Sequence, residues 1–97
     1  MKILVVSTFV PEATQEKLQQ HMKAEVAMAW KYYTEGYIRD WSLRQDRGGA
    51  AISVECASVE EAKKLFSEFP LAKAGLMQLE FIPLGPFLPI ATLFANQ

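Results

Sequence analysis

The first apolar run of the chain, residues 2–9, carries hydrophobic side chains at both alternating positions of a strand. Leu4 and Val6 occupy one face of this strand, and Ile3 and Val5 occupy the other. Such a pattern is typical of a strand inside a sheet whose two faces are both covered. The fold must therefore supply a layer of structure on each side of this strand.

A long helix is predicted to follow the first strand. Pro11 and Glu12 favour its entry, because proline fits the first helical turn and a carboxylate interacts well with the positive helix end. Gly36 is the natural C-terminal stop. Apolar side chains at helical spacing predict one buried stripe, formed by Leu18, Met22, Val26, Ala29 and Tyr33.

A hairpin and a second helix come next. Residues 37–45 and 50–56 are strand-like on either side of a glycine-containing turn, which predicts two antiparallel strands. Ser58 has the spacing of a capping box with Glu61, so a helix is expected to begin there. Pro70 is expected to end it, because the residue before a proline disfavours helical backbone.

Residues 76–84 alternate as a fourth strand, so the element order is β-α-β-β-α-β. Two strand–helix–strand units with right-handed crossovers predict a ferredoxin-like α+β fold, an antiparallel sheet with both helices on one face. The helices cover only that face, whereas the first strand is apolar on both. A second copy of the sheet is therefore expected to cover the other face in a homodimer, or in a higher oligomer of such dimers.

Composition limits the partners and the compartment. The 97 residues allow one domain, and the 10 Lys and Arg include no basic run, so neither nucleic acid nor a membrane surface is an expected partner. Cys56 is the only cysteine, which excludes an intramolecular disulfide and a cysteine-based zinc site. The N-terminal apolar run is broken too early for a signal peptide, and no run is long enough for a membrane span. We expect a cytoplasmic protein.

The C-terminal segment differs in character from the rest of the chain. Residues 81–97 carry no Lys, Arg, Asp or Glu. We expect a domain at 1–84 and an apolar arm at 85–97 that packs on its own sheet or on a neighbouring subunit, with a short helical turn after Pro89. Such an arm would serve assembly or close a cavity.

Four short motifs carry a family likeness: Gly36-Tyr37-Ile38-Arg39-Asp40-Trp41, Gly48-Gly49, Ser58-Val59-Glu60-Glu61-Ala62 and Phe69-Pro70-Leu71. Together they resemble the muconolactone isomerase-like family of dimeric α+β barrels, over roughly residues 1–84. The resemblance implies proton-transfer isomerisation of a small unsaturated lactone, with no metal and no organic cofactor. Other barrels of this kind are cofactor-independent monooxygenases, small dehydratases or haem-handling proteins, so the resemblance leaves the substrate open.

Alternation places four polar strand residues on the face away from the helices, in the space between the two sheets of a dimer. Ser53 and Glu55 lie there on the third strand, and Gln78 and Glu80 on the fourth. A carboxylate in a covered strand is costly unless it is paired or lines a cavity, so Glu80 and Glu55 are candidate catalytic residues. Ser53 and Gln78 are candidate ligand contacts. His21, the only histidine, is a further catalytic candidate at the border of the first helix's stripe.

The second strand offers a cation beside an aromatic ring. Arg39 and Trp41 share a face by alternation, an arrangement that suits a carboxylate substrate, while Asp40, Ser42 and Arg44 share the other. The phase does not settle which face points inward. Arg39, Trp41 and Arg44 are candidate substrate-binding residues. The alternative for all these charged groups is that glutamates and arginines pair across the dimer interface.

Two functions from different classes therefore remain open. The first is a small cofactor-independent enzyme that moves a proton on an unsaturated metabolite, which Arg39 orients and Trp41 contacts. The second is a non-catalytic dimeric binding or interaction protein, in which side chains or the C-terminal arm fill the cavity. A haem- or oxygen-handling barrel has less support, because His21 is the sole histidine.

Overall fold

The chain folds in the predicted order, with one additional short helix before the last strand. This description rests on a computed structural model, which describes residues 1–95. The elements are β1 (Lys2–Phe9), α1 (Gln15–Thr34), β2 (Ile38–Leu43), β3 (Ala50–Glu55), α2 (Val59–Ser67), α3 (Pro70–Lys73), β4 (Met77–Leu84) and a 3₁₀ helix (Leu88–Phe94).

The four strands form one antiparallel sheet in the order β2-β3-β1-β4. β1 is central, as its two apolar faces predict, and it pairs with β3 on one side and β4 on the other. The register places Val5 opposite both Ile52 of β3 and Phe81 of β4. The predicted ferredoxin-like α+β fold is therefore confirmed.

The two faces of the sheet differ sharply in burial. The helix face, defined by Ile3, Val5 and Ser7 of β1, is packed against the helices, and Ile3 and Val5 are fully buried. Burial of each such aliphatic side chain contributes about 1.5–3 kcal/mol of stability. The open face, defined by Leu4, Val6 and Thr8 of β1 and their neighbours, is only partly covered by the chain itself.

Helix α1 begins later than the sequence predicts. The segment around Pro11 and Glu12 forms a turn, because the Val10 N–H is committed to the Leu76 carbonyl at 3.0 Å, next to β4. Thr14 is the N-cap instead, and its Oγ1 accepts a hydrogen bond from the Lys17 N–H at 3.3 Å. The end of the helix is as predicted, since Gly36 follows it with a positive φ of 88°.

The buried stripe of α1 also differs from the predicted one. Val26 and Tyr33 are 57% and 43% exposed, whereas Leu18 and Tyr32 are buried. The inward side of the helix follows alternating steps of four and three residues and is formed by Leu18, Met22, Glu25, Ala29 and Tyr32. The predicted stripe contains apolar residues alone, so it has Val26 where the inward side has Glu25, and Tyr33 where that side has Tyr32. Val26 still lines the edge of the space between this helix and the sheet, although it is largely exposed.

Pro70 has a different role from the predicted one. α2 already ends at Ser67, and Pro70 opens the short helix α3, where its missing N–H costs nothing. The Ser58 cap of α2 is confirmed, since its Oγ accepts from the Glu61 N–H at 3.1 Å. The Glu61 carboxylate reaches back one residue further than a capping box requires, to the Ala57 N–H at 2.9 Å.

A β-bulge in β2 breaks the alternation on which one prediction depends. The pairing with β3 shifts between Ile38 and Asp40, so that Asp40 lies opposite Ser53 and Trp41 lies opposite Ile52. Trp41 is thereby on the helix face, where its ring stacks on Tyr33 of α1 with centroids 4.7 Å apart. The prediction that Arg39 and Trp41 share a face is wrong, because the extra residue at the bulge changes the phase between them.

The C-terminal arm extends away from the domain. Every residue from 85 to 95 is exposed, with Phe87 and Leu88 each 73% exposed. The radius of gyration is 16.0 Å, against about 12.5 Å for a compact chain of this length. The helical turn predicted after Pro89 is present as the 3₁₀ helix, which begins at Leu88. The last two residues of the predicted arm, 96 and 97, lie outside the described residues.

Candidate functional site

A cavity lies between α1 and the helix face of the sheet. Its volume is about 320 Å³, at the lower end of the range of roughly 300–1,000 Å³ seen for small-molecule sites. Small side chains leave this space open: Ala29 on the helix faces Ser7 and Ala50 on the sheet. Gly49 also lines it, and a Cβ at that position would overlap the Ser7 carbonyl.

The walls of the cavity are almost entirely apolar. The sheet contributes Ile52, Met77 and Leu79, and aromatic rings are contributed by Phe66, Phe69 and Trp41. Glu25 is the one charged residue among the lining residues that the structure describes. No Lys, Arg or His within residues 1–95 lines the cavity, so nothing there offsets the negative charge of a ligand.

Glu25 is held in a defined orientation. It lies half-buried on the inward stripe of α1, and its Oε1 accepts a hydrogen bond from the Leu71 N–H at 2.9 Å. That N–H belongs to the first turn of α3, whose N-cap residue Phe69 provides no side-chain acceptor. The Glu25 carboxyl therefore takes the place of a cap, which fixes one oxygen and leaves the second without a partner among the hydrogen bonds of residues 1–95.

The environment changes the acidity of this carboxyl. Burial raises the pKa of Glu25 above its usual 4.5, while the Leu71 N–H and the positive charge of His21 oppose the rise. A carboxyl with a raised pKa in an apolar cavity is closer to the acidity needed for proton transfer near neutral pH than an exposed one. Glu25 is the titratable group that is best placed for such chemistry.

Two serines line the cavity, Ser42 of β2, which is exposed, and Ser7. Ser7 lies on the helix face of β1, is 5% exposed, and is the one polar residue that is buried within residues 1–95. Its Oγ accepts a hydrogen bond from the Ala50 N–H at 2.9 Å. The cavity thus carries a carboxyl on its helix wall and a hydroxyl on its sheet wall.

The four polar strand residues predicted to share a face do share it. The register places Ser53 opposite Leu4, Glu55 opposite Lys2, Glu80 opposite Val6 and Gln78 opposite Thr8, all on the open face. None of the four lines the cavity, which lies on the other side of the sheet. Their predicted roles in a site between two sheets stay predictions.

Glu55 is engaged in an ion pair. Its Oε2 lies 2.7 Å from the N-terminal ammonium of Met1, and this hydrogen bond lowers the pKa of the Glu55 carboxyl. A carboxylate with a lowered pKa is a weaker base than one with a raised pKa. Glu80 is exposed, opposite Val6.

The two predicted substrate-binding arginines also make contacts within the chain. Arg44 donates from Nε and Nη2 to the two carboxylate oxygens of Asp46, at 3.0 and 2.8 Å, and from Nη1 to Thr8 Oγ1 at 2.8 Å. These bonds join the end of β2 to β1, and they lower the pKa of Asp46 to about 2. Arg39 donates from Nε to the Gly36 carbonyl at 2.7 Å.

Trp41 is the predicted site residue that the structure places at the cavity. His21 lies half-buried one helical turn before Glu25 and acts on it through charge, without lining the cavity. Sequence reasoning missed Glu25 and Ser7. The signal for Glu25 was present, since a charged residue at the centre of a helical stripe with steps of four and three is unusual unless it is paired or functional.

Two further features bear on possible cofactors and on the thiol. Within residues 1–95, no group of three or more His, Cys, Asp or Glu side chains is arranged to hold a metal ion. Burial raises the pKa of the Cys56 thiol, whose Sγ donates to the Ser58 carbonyl at 3.3 Å, as expected of an unreactive cysteine.

Among the helices of residues 1–95, none is long and apolar enough to cross a membrane.

Comparison with known proteins adds evidence about the fold. No family model matches the chain, and no curated protein matches its sequence. Among solved structures, the chain is similar to 5-chloro-2-hydroxyhydroquinone dehydrochlorinase from Burkholderia phenoliruptrix AC1100, solved in complex with 2,5-dihydroxybenzoquinone. The TM-score is 0.68 at 20% sequence identity, over 88% of this chain and 96% of that one. This likeness confirms the ferredoxin-like α+β fold.

Proposed function

We propose that the chain is a small enzyme that binds an unsaturated ring compound in the cavity between α1 and the sheet and moves a proton on it through Glu25. The observation that carries the proposal is the half-buried Glu25 carboxyl, with its raised pKa, in an otherwise apolar cavity. The similar dehydrochlorinase acts on a small hydroxylated ring, which agrees with a site of this size. We further propose that the reaction uses no cofactor, as the family resemblance implies.

The chemistry begins with proton removal. The ionised Glu25 carboxyl takes a proton from a ring carbon next to a carbonyl, and the electron pair of that C–H bond moves into the ring to form an enolate. In an isomerisation, Glu25 returns the proton to another carbon of the same system, so the double bond shifts. In an elimination, the electron pair instead expels a leaving group such as chloride. Both reactions share the first step, for which Glu25 is positioned.

A second function has one observation in its favour. The hydrogen bond from the Leu71 N–H to Glu25 also gives this carboxyl a structural purpose, because it caps α3. A non-catalytic binding protein with the same cavity would need Glu25 for that contact alone. The experiment must therefore separate the charge of Glu25 from its hydrogen bond.

Glu25→Gln makes that separation. Glutamine keeps an oxygen that accepts from the Leu71 N–H but cannot accept a proton from carbon. Deuterium uptake from D₂O into neutral enol-lactones and neutral ring ketones is followed by NMR, with muconolactone, which carries a carboxylate, as the anionic comparison. We expect uptake with the natural chain and a loss of about 10²–10⁴-fold in E25Q, the usual contribution of a general base. Glu16→Gln, on the exposed side of α1, is the matched control and should leave the rate unchanged.

Two results would contradict the proposal. An absence of uptake from every compound would favour the binding protein. If E25Q exchanges deuterium normally whereas Glu80→Gln or Glu55→Gln does not, the proton carrier lies on the open face.

We also propose that a second copy covers the open face. Leu4, Val6 and Ile82 lie together there and are only partly buried by their own chain. Two such faces placed together would bury these side chains in a homodimer. The polar open-face residues would then lie at the interface, where ion pairs across it are the proposed role of Glu80.

A further inference from the structure

We propose that the Ser7 hydroxyl donates a hydrogen bond to an oxygen atom of the ligand, so that the cavity selects neutral, oxygen-bearing rings. This inference rests on the proposed function, because it assigns the ligand to the same cavity. It concerns Ser7 and the class of ligand, which the fold likeness does not address.

The Ser7 hydroxyl accepts a hydrogen bond within the chain, but its own proton is not donated to any group of residues 1–95. A serine hydroxyl has one proton to donate and two acceptor positions. One acceptor position is taken by the Ala50 N–H at 2.9 Å. None of the hydrogen bonds found among residues 1–95 uses the hydroxyl proton as donor, although the side chain is buried. A buried donor without an acceptor is costly, so a ligand that supplies one gains affinity.

The Ser7 donor and the Glu25 carboxyl lie on different walls of the cavity. Ser7 lines the cavity from the sheet, and Glu25 lines it from the helix. A flat ring between these two walls would place one edge near each group. When Glu25 removes a proton, negative charge develops on the ring oxygen, and a hydrogen bond donated by Ser7 to that oxygen becomes stronger. The Ala50 N–H that points at Ser7 Oγ polarises the hydroxyl in the same sense.

The charge of the cavity lining disfavours an anionic ligand. None of the lining residues within residues 1–95 is a cation, and the ionised Glu25 repels an anion. Arg39 and Arg44 do not line the cavity, and they donate hydrogen bonds to the Gly36 carbonyl and to Asp46 and Thr8. The ligand class is therefore a neutral ring with a carbonyl, instead of the carboxylate that an Arg39 contact would select.

Three compounds of nearly equal shape test whether the ligand needs an oxygen acceptor and whether it must be neutral. Acetophenone has a carbonyl that only accepts, isopropylbenzene has no oxygen, and benzoate is anionic. Binding to the full chain is measured by NMR titration for the natural protein and for Ser7→Ala. We expect Ser7→Ala to lower acetophenone affinity about two- to tenfold, the value of one hydrogen bond, and to leave isopropylbenzene affinity unchanged. Benzoate should bind more weakly than acetophenone to the natural protein.

Ser7→Ala also leaves the Ala50 N–H without its acceptor, so a loss of binding could come from a loss of folding. Two further variants distinguish these causes. Ser7→Thr keeps a hydroxyl and should keep the preference for acetophenone. Ser7→Cys keeps the size with a weaker donor and should lose most of it. Thermal melting of each variant identifies any that is unfolded.

Four outcomes would overturn the inference: equal losses for acetophenone and isopropylbenzene in Ser7→Ala, no loss for either, benzoate binding as tight as that of acetophenone, or no binding of acetophenone to the natural protein. The role of Ser7 and the proposed reaction can fail independently of each other. Binding that depends on Ser7 without deuterium exchange removes the enzyme and keeps the site, whereas exchange without a Ser7 effect removes only the role of Ser7.

Discussion

The two faces of the sheet differ in how many carboxylates they carry and in how basic those carboxylates are. The open face carries Glu55, Glu80 and Asp40, yet Glu55 is paired with the N-terminal ammonium and the other two are exposed. The helix face carries one carboxyl at its cavity, Glu25, and burial raises its pKa. Removal from water makes a carboxyl useful as a base near neutral pH, and the helix face provides that condition.

Val6→Asp should break the proposed role of the open face. Val6 lies at the centre of that face, opposite Glu80, so an aspartate there meets a like charge. An unpaired charge placed in an apolar interface costs about 3–5 kcal/mol, so the dimer should dissociate roughly 10²–10⁴-fold more readily. Light scattering gives the mass, and Ala24→Asp on the exposed side of α1 is the control. An unchanged mass for Val6→Asp would mean that the sheets do not face each other.

Ala29→Leu should sharpen the comparison from the other face. Ala29 lines the cavity, and a larger side chain there occupies ligand space. Packing conflicts of about 1–3 kcal/mol predict a loss of acetophenone affinity of roughly 5- to 150-fold. Ala24→Leu, exposed on the same helix, should bind normally. Equal affinity in Ala29→Leu would place the ligand elsewhere.

Deletion of residues 86–97 tests whether the arm belongs to assembly. Because residues 85–95 are exposed in one copy of the chain, their loss should change the domain's stability by no more than about 0.5 kcal/mol. The proposed contact with a neighbouring subunit predicts a lower mass by light scattering. An unchanged mass together with an unchanged melting temperature would leave the arm without a role in assembly.

The smallest expected effect is a pH-dependent difference in stability between the natural chain and E25Q. The folded-state pKa of Glu25 lies above its unfolded value, so the folded chain holds the proton more tightly. Stability of the natural chain relative to E25Q should therefore fall as pH rises from the unfolded pKa through the folded one, and then level off. Melting temperatures across this range check the sign, and a difference that grows in the opposite direction would refute it.

Much of the fold follows from local patterns in the sequence. The two-sided strand β1, the Ser58 cap and Gly36 each act through near neighbours in the chain, and the structure confirms them. The start of α1 was not predictable in this way, because the Val10 N–H is held by Leu76, far away in sequence. The bulge before Asp40 was also invisible to a rule of strict alternation, and it moved Trp41 to the other face.

The site was predictable only in part. Trp41 was predicted to bind substrate, with the inward face of its strand left open, and the structure places it at the cavity on the helix face. Glu25 was not predicted, because the stripe was traced through apolar residues alone, whereas the inward side of the helix includes this carboxyl. The Ser7 contact depends on the Ala50 N–H, which only the pairing of β1 and β3 brings near. A contact of this kind can be predicted only when the register between strands distant in sequence is known.

The pKa of the Glu25 carboxyl tests the central claim most directly. Carbon-13 NMR of the side-chain carboxyl, followed across a pH titration of the full chain, reports this value, with E25Q used to assign the signal. The account predicts a midpoint above 4.5, because the carboxyl is half-buried in an apolar cavity. A midpoint at or below 4.5 would contradict it and would identify Glu25 as a structural cap of α3.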